Sequence, residues 1–136
     1  MTEPRQSDNQ NPGNNYNLEK VQFWGDAMAD DSSILEALYA VIASRKGTDP
    51  DKSYTAKLFA RGRGKIAQKF GEEAVEAVVA ALAEGKDELV GESADLLYHL
   101  LVLWADCGVE PAQVWAELAR RAGTSGIDEK KSRAKK

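Results

Sequence analysis

The chain has 136 residues, of which 43% are hydrophobic and 29% are charged, and its formal net charge is −4. This length allows one domain with a buried core, and the composition is that of a globular protein and not of a disordered one. The acidic balance gives no indication of a nucleic-acid-binding surface, and the longest apolar stretch is too short to cross a membrane.

The ends of the chain differ in composition from its middle. Residues 1–17 are rich in Asn, Gln, Pro and Gly, so we expect residues 1–30 to form a disordered or loosely docked extension. Residues 122–136 are polar and basic, which predicts a flexible, solvated tail. The single cysteine, Cys107, cannot form a disulfide within the chain, and the polar N-terminus does not have the apolar core of a secretory signal. We therefore expect a cytoplasmic protein.

Residues 31–121 predict an all-α domain of about five helices, because apolar residues recur at helical spacing and no run alternates at period two. The first helix begins after Ser33, which forms the pattern of a capping box with Glu36, and it ends before Gly47. The other four helices are predicted near residues 53–60, 65–84, 87–106 and 111–121.

The two long predicted helices each carry a pair of acids spaced three residues apart, which places each pair on one helix face. The pairs are Glu73 with Glu76, and Glu92 with Asp95. Taken singly, Glu73 and Glu92 could equally well be ordinary surface acids, and so could the neighbouring Glu72. That interpretation is weaker for Glu76 and Asp95, because apolar residues flank both and an unpaired buried carboxylate is costly.

A divalent cation between the two helices would offset the cost of burial and the repulsion between the acids. Ligands that are all oxygen favour Mg²⁺, Mn²⁺ or Ca²⁺ over zinc. Lys65 and Lys69 lie on the same stripe of the helix as the first pair, where they would face an anionic substrate. The pattern therefore predicts metal-assisted attack of water on a phosphoanhydride.

Four segments resemble the phosphoribosyl-ATP pyrophosphatase family of histidine biosynthesis. They are SYTAKLFARG (53–62), KIAQKFGEEAVE (65–76), ESADLLYHLLVLWADCGV (92–109) and VWAELARR (114–121). The family is similar to the MazG-type all-α nucleotide pyrophosphohydrolases. The resemblance implies hydrolysis of 1-(5-phosphoribosyl)-ATP, a small-molecule substrate, to 1-(5-phosphoribosyl)-AMP and pyrophosphate, with Mg²⁺ or Mn²⁺ as the cofactor.

The resemblance also implies roles for individual residues. The implied metal ligands are Glu73, Glu76, Glu92 and Asp95, and the implied catalytic acids are Glu72, Glu73 and Glu76. The implied phosphate-binding residues are Lys65 and Lys69, together with Lys57 and Arg61 from a second basic stretch. His99 matches the family pattern as well, and we interpret it as a satisfied histidine at a helix interface in preference to a catalytic base.

The two long helices alone would leave a wide apolar surface. Its predicted members are Val75, Val78, Val79, Leu82, Leu97, Leu100, Leu101, Val102 and Trp104. A chain of this length would struggle to cover that surface, so we expect a homodimer that completes a helical bundle.

Two other functions stay open from the sequence. One is a house-cleaning nucleotide pyrophosphohydrolase of the same fold, with a different base or sugar in its pocket. The other is a non-enzymatic, metal-binding helical bundle. A di-iron bundle of that kind is disfavoured, because its histidine follows a glutamate by three residues, whereas His99 follows Asp95 by four.

Overall fold

The computed structural model describes residues 33–123 and 126–134, and in these ranges it contains six α-helices and no strand. The helices are α1 (Ile34–Ser44), α2 (Tyr54–Arg61), α3 (Arg63–Ala83), α4 (Lys86–Cys107), α5 (Pro111–Arg121) and α6 (Gly126–Ala134). The predicted all-α fold is confirmed. In these ranges no helix has the length and apolar character that a membrane span requires.

The two ends of the chain were predicted separately from the domain. The prediction for residues 1–30 falls outside the described residues. The segment predicted to be a flexible tail contains α6, and its flexibility and the domain boundaries stay predictions.

The two longest helices, α3 and α4, form a hairpin and make the most extensive contact between helices in the described chain. Only Glu84 and Gly85 separate them, so the two helices run antiparallel. Helix α4 ends at Gly108, whose φ of 73° lies in the left-handed region that favours glycine. Because the two helices of the hairpin are antiparallel and of nearly equal length, residues near the middle of α3 face residues near the middle of α4.

Helices α2 and α3 meet at Gly62, which ends the first and begins the second. Its φ of 91° and ψ of 170° lie in a region that is open almost only to glycine. Helix α2 begins after Ser53, whose side-chain oxygen accepts a hydrogen bond from Ala56 N at 3.2 Å. This sharp change of direction lets α2 pack against both helices of the hairpin.

The core lies where α1, α2, α3 and α4 meet. Its buried apolar residues are Tyr39, Ile42, Leu58, Ile66, Tyr98, Leu101 and Val102. Each such side chain contributes about 1.5–3 kcal/mol when it is fully removed from water. Two polar contacts join segments that are distant in sequence: Tyr39 Oη donates to Val109 O at 2.9 Å, and the buried hydroxyls of Thr55 and Tyr98 share a hydrogen bond.

Helix α5 packs against α1 through Trp115. The indole Nε1 donates to Glu36 Oε1 at 2.5 Å, and its ring meets the edge of the Trp104 ring with 6.0 Å between centroids. The capping box predicted for Ser33 and Glu36 is therefore wrong: Ser33 makes no side-chain capping bond, and the Glu36 carboxylate accepts from Trp115 instead of reaching back to the start of its own helix.

One stripe of α3 is apolar and exposed in the single chain. It consists of Val75, Val78, Val79 and Leu82, which follow each other at helical spacing, and we call it the apolar stripe. Helix α4 exposes Leu97 as well, whereas Leu101 and Val102 are buried in the core and Leu100 and Trp104 are half-buried. The other helices therefore cover part of the surface predicted for the hairpin, and the apolar stripe remains uncovered.

Candidate active site

The hairpin brings acids from α3 and α4 together. One carboxylate oxygen from each of Glu73, Glu92 and Asp95 lies within 4.8 Å of the others. Glu73 is 4% exposed, and the two acids of α4 are half-buried. The spacing of three residues places Glu92 and Asp95 on one face of α4, and the antiparallel packing places Glu73 opposite them.

Burial and the repulsion from neighbouring carboxylates make Glu73 and Glu92 hard to ionise. Burial, followed by the neighbouring carboxylate of Glu76, raises the pKa of Glu73 to about 8. The same two causes raise the pKa of Glu92 to about 7. In each of these residues Oε2 is buried and has no hydrogen-bond partner in the described chain. Two oxygens with strong hydrogen-bonding capacity are therefore left unsatisfied.

This donor set fits a hard divalent cation. The clustered ligand atoms are all carboxylate oxygens, which favour ions such as Mg²⁺, Mn²⁺ and Ca²⁺ over zinc. A cation here would supply the partner that the buried Oε2 atoms of Glu73 and Glu92 do not have, and it would lower the pKa of both groups. The cluster between α3 and α4 could therefore hold a metal ion.

Glu76 lies beside this cluster but its side chain is exposed. Its charge contributes to the raised pKa of both Glu73 and Glu92, so its carboxylate is close to both. The expectation that apolar neighbours bury Glu76 is wrong for the single chain, because its neighbours Val75 and Val79 are themselves 63% and 45% exposed. Its place among the metal ligands stays a prediction.

Glu72 is exposed and lies near Lys65 and Lys69, the two lysines of α3 that are predicted to bind phosphate. Gln68 Nε2 donates to Glu72 Oε1 at 2.8 Å, and Lys69 Nζ lies 3.5 Å from Glu72 Oε2. The bond from Gln68, then the charges of Lys69 and Lys65, lower the pKa of Glu72. This acid is therefore ionised at neutral pH, unlike its buried neighbour Glu73.

The second basic stretch lies on α2, where Lys57 and Arg61 are both exposed. Burial, followed by the charge of Glu73, raises the pKa of the Tyr54 hydroxyl. The charge of Arg61 acts in the opposite direction, so Arg61 lies near Tyr54. Arg61 is thereby connected to the site through Tyr54. Contact of either Lys57 or Arg61 with a phosphate stays a prediction.

Tyr54 lies beside the acids, although no role was predicted for it from the sequence. It is half-buried at the start of α2, and after burial the charge of Glu73 is the largest cause of its raised pKa. The sequence feature that could have identified Tyr54 is its position directly after the capping residue Ser53, within the family-like segment SYTAKLFARG.

His99 also lies against the acid cluster. It is fully buried, and its Nε2 lies 3.7 Å from Glu73 Oε1. The sequence signal for this position was the spacing of four residues from Asp95, which places both on one face of α4. The histidine is at a helix interface as expected, but neither ring nitrogen has a hydrogen-bond partner in the described chain, so it is not satisfied.

Comparison with known proteins identifies relatives over the same region. The sequence profile of the phosphoribosyl-ATP pyrophosphohydrolase family matches residues 35–122. A phosphoribosyl-ATP pyrophosphatase from Paramagnetospirillum magneticum is 92% identical over 109 residues, which make up 80% of this chain and 100% of that protein. The proteins of the same name from Rhodospirillum rubrum and Azospirillum brasilense are 72% and 61% identical. Their alignments cover 75% and 78% of this chain, and 87% and 98% of the two relatives.

The matched region contains every residue of the candidate site. It begins in α1 and ends just after α5, so it includes the whole hairpin and the basic residues of α2. From the extent of this match and the identity to the named relatives, we conclude that the chain belongs to the phosphoribosyl-ATP pyrophosphohydrolase family.

Proposed function

We propose that the chain hydrolyses the α–β phosphoanhydride of 1-(5-phosphoribosyl)-ATP and releases pyrophosphate and 1-(5-phosphoribosyl)-AMP. This reaction is the second step of histidine biosynthesis, and we expect it to take place in the cytoplasm. The observation that carries the proposal is the carboxylate cluster with its buried, unpartnered oxygens, which suits a cation that binds phosphates. Membership of the family supports the choice of substrate.

In this proposal the cofactor is Mg²⁺, and Mn²⁺ shares its preference for oxygen ligands. Glu73, Glu92 and Asp95 would hold the ion, and Glu76 would complete the set. When bound, such a cation offsets the negative charge of the phosphates and makes a nearby water molecule a better nucleophile.

The chain's own residues position the substrate and move the proton. Lys65 and Lys69 bind the phosphates and stabilise the charge that develops on the leaving pyrophosphate. Glu72, which is ionised and exposed beside them, orients the attacking water and accepts its proton. Because these groups are on one rigid helix, their distances from the phosphates vary little, and this favours the reactive geometry.

We also propose that two copies of the chain associate through the apolar stripe. Between residues 75 and 82 the only charged residue is Glu76, and the four apolar side chains of the stripe are exposed. Burying such a stripe is favourable, and an isologous dimer offers each copy an identical apolar stripe as its partner. The second copy would also cover the flanks of Glu76, which the single chain leaves in contact with solvent.

The substrate and the cofactor can be tested in one assay. Purified protein is offered phosphoribosyl-ATP and a panel of ordinary nucleoside triphosphates, and pyrophosphate release is measured. We expect turnover of phosphoribosyl-ATP that needs Mg²⁺ or Mn²⁺, stops in EDTA and greatly exceeds turnover of the panel. Equal turnover of the whole panel would favour a house-cleaning enzyme, and full activity in EDTA would contradict the cation site.

The variant Glu76→Gln tests whether Glu76 is a metal ligand or an ordinary surface acid. Loss of a ligand misplaces both the ion and the phosphates, so we expect turnover to fall by about 100-fold or more. Thermal stability without metal should stay the same or rise, because repulsion with Glu73 and Glu92 is relieved. Turnover is measured at saturating Mg²⁺.

The matched control for this variant is Glu84→Gln, which removes another exposed acid beyond the last residue of α3. We expect the control to keep the activity of the unmodified chain. Near-normal turnover of Glu76→Gln under the same conditions would exclude Glu76 from the site.

The raised pKa values predict how the stability of the metal-free chain depends on pH. Folded Glu73 keeps its proton up to pH about 8, whereas the unfolded chain releases it near its ordinary value of 4.5. Between these values the unfolded state binds fewer protons, so the free energy of unfolding should fall as the pH rises. Melting temperatures in EDTA at pH 5, 6, 7 and 8 measure the fall, which we expect to be several degrees.

Mg²⁺ should remove most of this decline, because it binds the ionised carboxylates of the folded chain. The control is Glu73→Gln, whose melting temperature in EDTA should depend less on pH. If this variant and the unmodified chain decline in parallel, the buried carboxyl is not the cause.

The dimer is tested by placing a charge in the apolar stripe. Val78→Lys should convert the protein from dimer to monomer, because a lysine cannot be buried cheaply against a second apolar stripe. Leu118→Lys on α5 is the matched control, since Val78 is 57% exposed and Leu118 is 56% exposed. Molar mass from light scattering at fixed protein concentration is the measurement. A monomeric unmodified chain, or a dimeric Val78→Lys variant, would contradict the proposed interface.

A further inference from the structure

His99 is the one histidine of the chain, and its position is unusual for a polar side chain. It is fully buried at the contact between α3 and α4, and neither ring nitrogen has a hydrogen-bond partner in the described chain. A neutral imidazole carries a proton on one nitrogen and a lone pair on the other, so this ring buries both a donor and an acceptor. Such groups are rare in folded proteins and call for an explanation.

Two tyrosines enclose the ring of His99. Tyr54 and Tyr98 both meet it edge-on, with 6.4 Å and 5.1 Å between ring centroids. The hydroxyl of Tyr98 is hydrogen-bonded to Thr55, which fixes that ring in place. The imidazole is thereby held in an aromatic wall and has little freedom to turn.

The polar atom that the ring does approach belongs to the acid cluster. Nε2 of His99 lies 3.7 Å from Glu73 Oε1, which is longer than a hydrogen bond but needs only a small side-chain adjustment to become one. The contact places a ring nitrogen opposite a carboxylate oxygen, and an N–H on Nε2 is a donor that this oxygen can accept.

We propose that the Nε2 proton of His99 is donated to Glu73 Oε1, which holds this carboxylate with Oε2 directed towards the cation. The proposal rests on the proposed function, because it concerns the same metal site. His99 is a positioning residue: it acts through Glu73 and touches neither the substrate nor the attacking water. Its role follows from three observations, namely the unpartnered nitrogens, the aromatic wall and the short approach to Glu73.

This role suits the chemistry of metal ligands. A carboxylate that binds a metal through one oxygen is commonly fixed by a hydrogen bond to the other, and loss of such a partner costs about 10- to 100-fold in metal affinity. In Glu73 the two oxygens are already distinct, since Oε1 faces His99 and Oε2 is buried without a partner. The bond would also satisfy the buried N–H of the imidazole.

The first test uses the ring itself as the probe. With ¹⁵N-labelled histidine in the untagged protein, both ring nitrogens belong to one residue and can be assigned directly by NMR. We expect the Nε2 resonance to move when MgCl₂ is added without substrate, and we expect the proton to be on Nε2 in the Mg²⁺-bound protein. A proton on Nδ1 alone in the Mg²⁺-bound protein would overturn the proposal. So would unchanged ring signals at a Mg²⁺ concentration that raises the melting temperature.

The second test compares variants by the Mg²⁺ concentration that gives half of the maximal thermal stabilisation. His99→Phe removes the donor and should raise this concentration about 10- to 100-fold. His99→Gln can place an amide N–H near the position of Nε2, so it should restore most of the affinity. Tyr39→Phe is the control, because it breaks the bond to Val109 O away from His99 and should lower the melting temperature while the response to Mg²⁺ stays the same.

The outcomes separate this proposal from the proposed function. Absence of any Mg²⁺ stabilisation in the unmodified chain would overturn the metal site and this role together. Normal Mg²⁺ affinity in His99→Phe, or equal losses in the Phe and Gln variants, would overturn the role of His99 and leave the metal site intact. If His99→Phe does not fold, the Mg²⁺ response of His99→Gln and the NMR spectrum of the unmodified protein still test the role of His99.

Discussion

Glu73, Glu92 and Asp95 repel each other inside a helix contact where water screens them poorly. Such a group is tolerable only when protons or a cation offset its charge, and in the metal-free chain the raised pKa values of Glu73 and Glu92 indicate that protons do so. Apolar side chains at these positions would give a more stable hairpin. The rest of the fold must therefore supply enough stability to hold the acids together.

That stability comes from the surroundings of the acid cluster. The core below it joins four helices, and the Thr55–Tyr98 hydrogen bond ties α2 to α4 close to His99. Along α3 the charge changes from the lysines at its start to the buried acid near its middle, with Glu72 paired to Lys69 at the boundary. Lys65 and Lys69 are half-buried, so these two cations lie in the wall of the same helix contact that holds the acids.

Much of this arrangement could be predicted from the sequence, because the relevant signals are local. Helical periodicity and glycine punctuation located five helices to within a few residues, and a spacing of three placed Glu92 and Asp95 on one face. Helix α6 was not predicted, because the polar composition of residues 122–136 gives no apolar periodicity, and the other failures involve partners that are distant along the chain. Glu36 pairs with Trp115 and not with its own helix terminus, and the exposure of Glu76 depends on what covers the apolar stripe. The approach of His99 to Glu73 likewise depends on how two helices are rotated against each other, which periodicity does not determine.

Gly62, the single residue between α2 and α3, shows that free space around a position does not decide which substitutions it accepts. A methyl group added to Gly62 would meet nothing within 4 Å, so an inspection of available space would rate the position as permissive. The constraint lies in its torsion angles instead, since φ of 91° with ψ of 170° costs about 1–3 kcal/mol for any residue that has a β-carbon. A larger residue could relieve that strain only by a swing of α2, which would pull Leu58 out of the core and break the contact of Thr55 with Tyr98. Damage at this position would thus appear as lost stability, although no atom stands in the way of the added side chain.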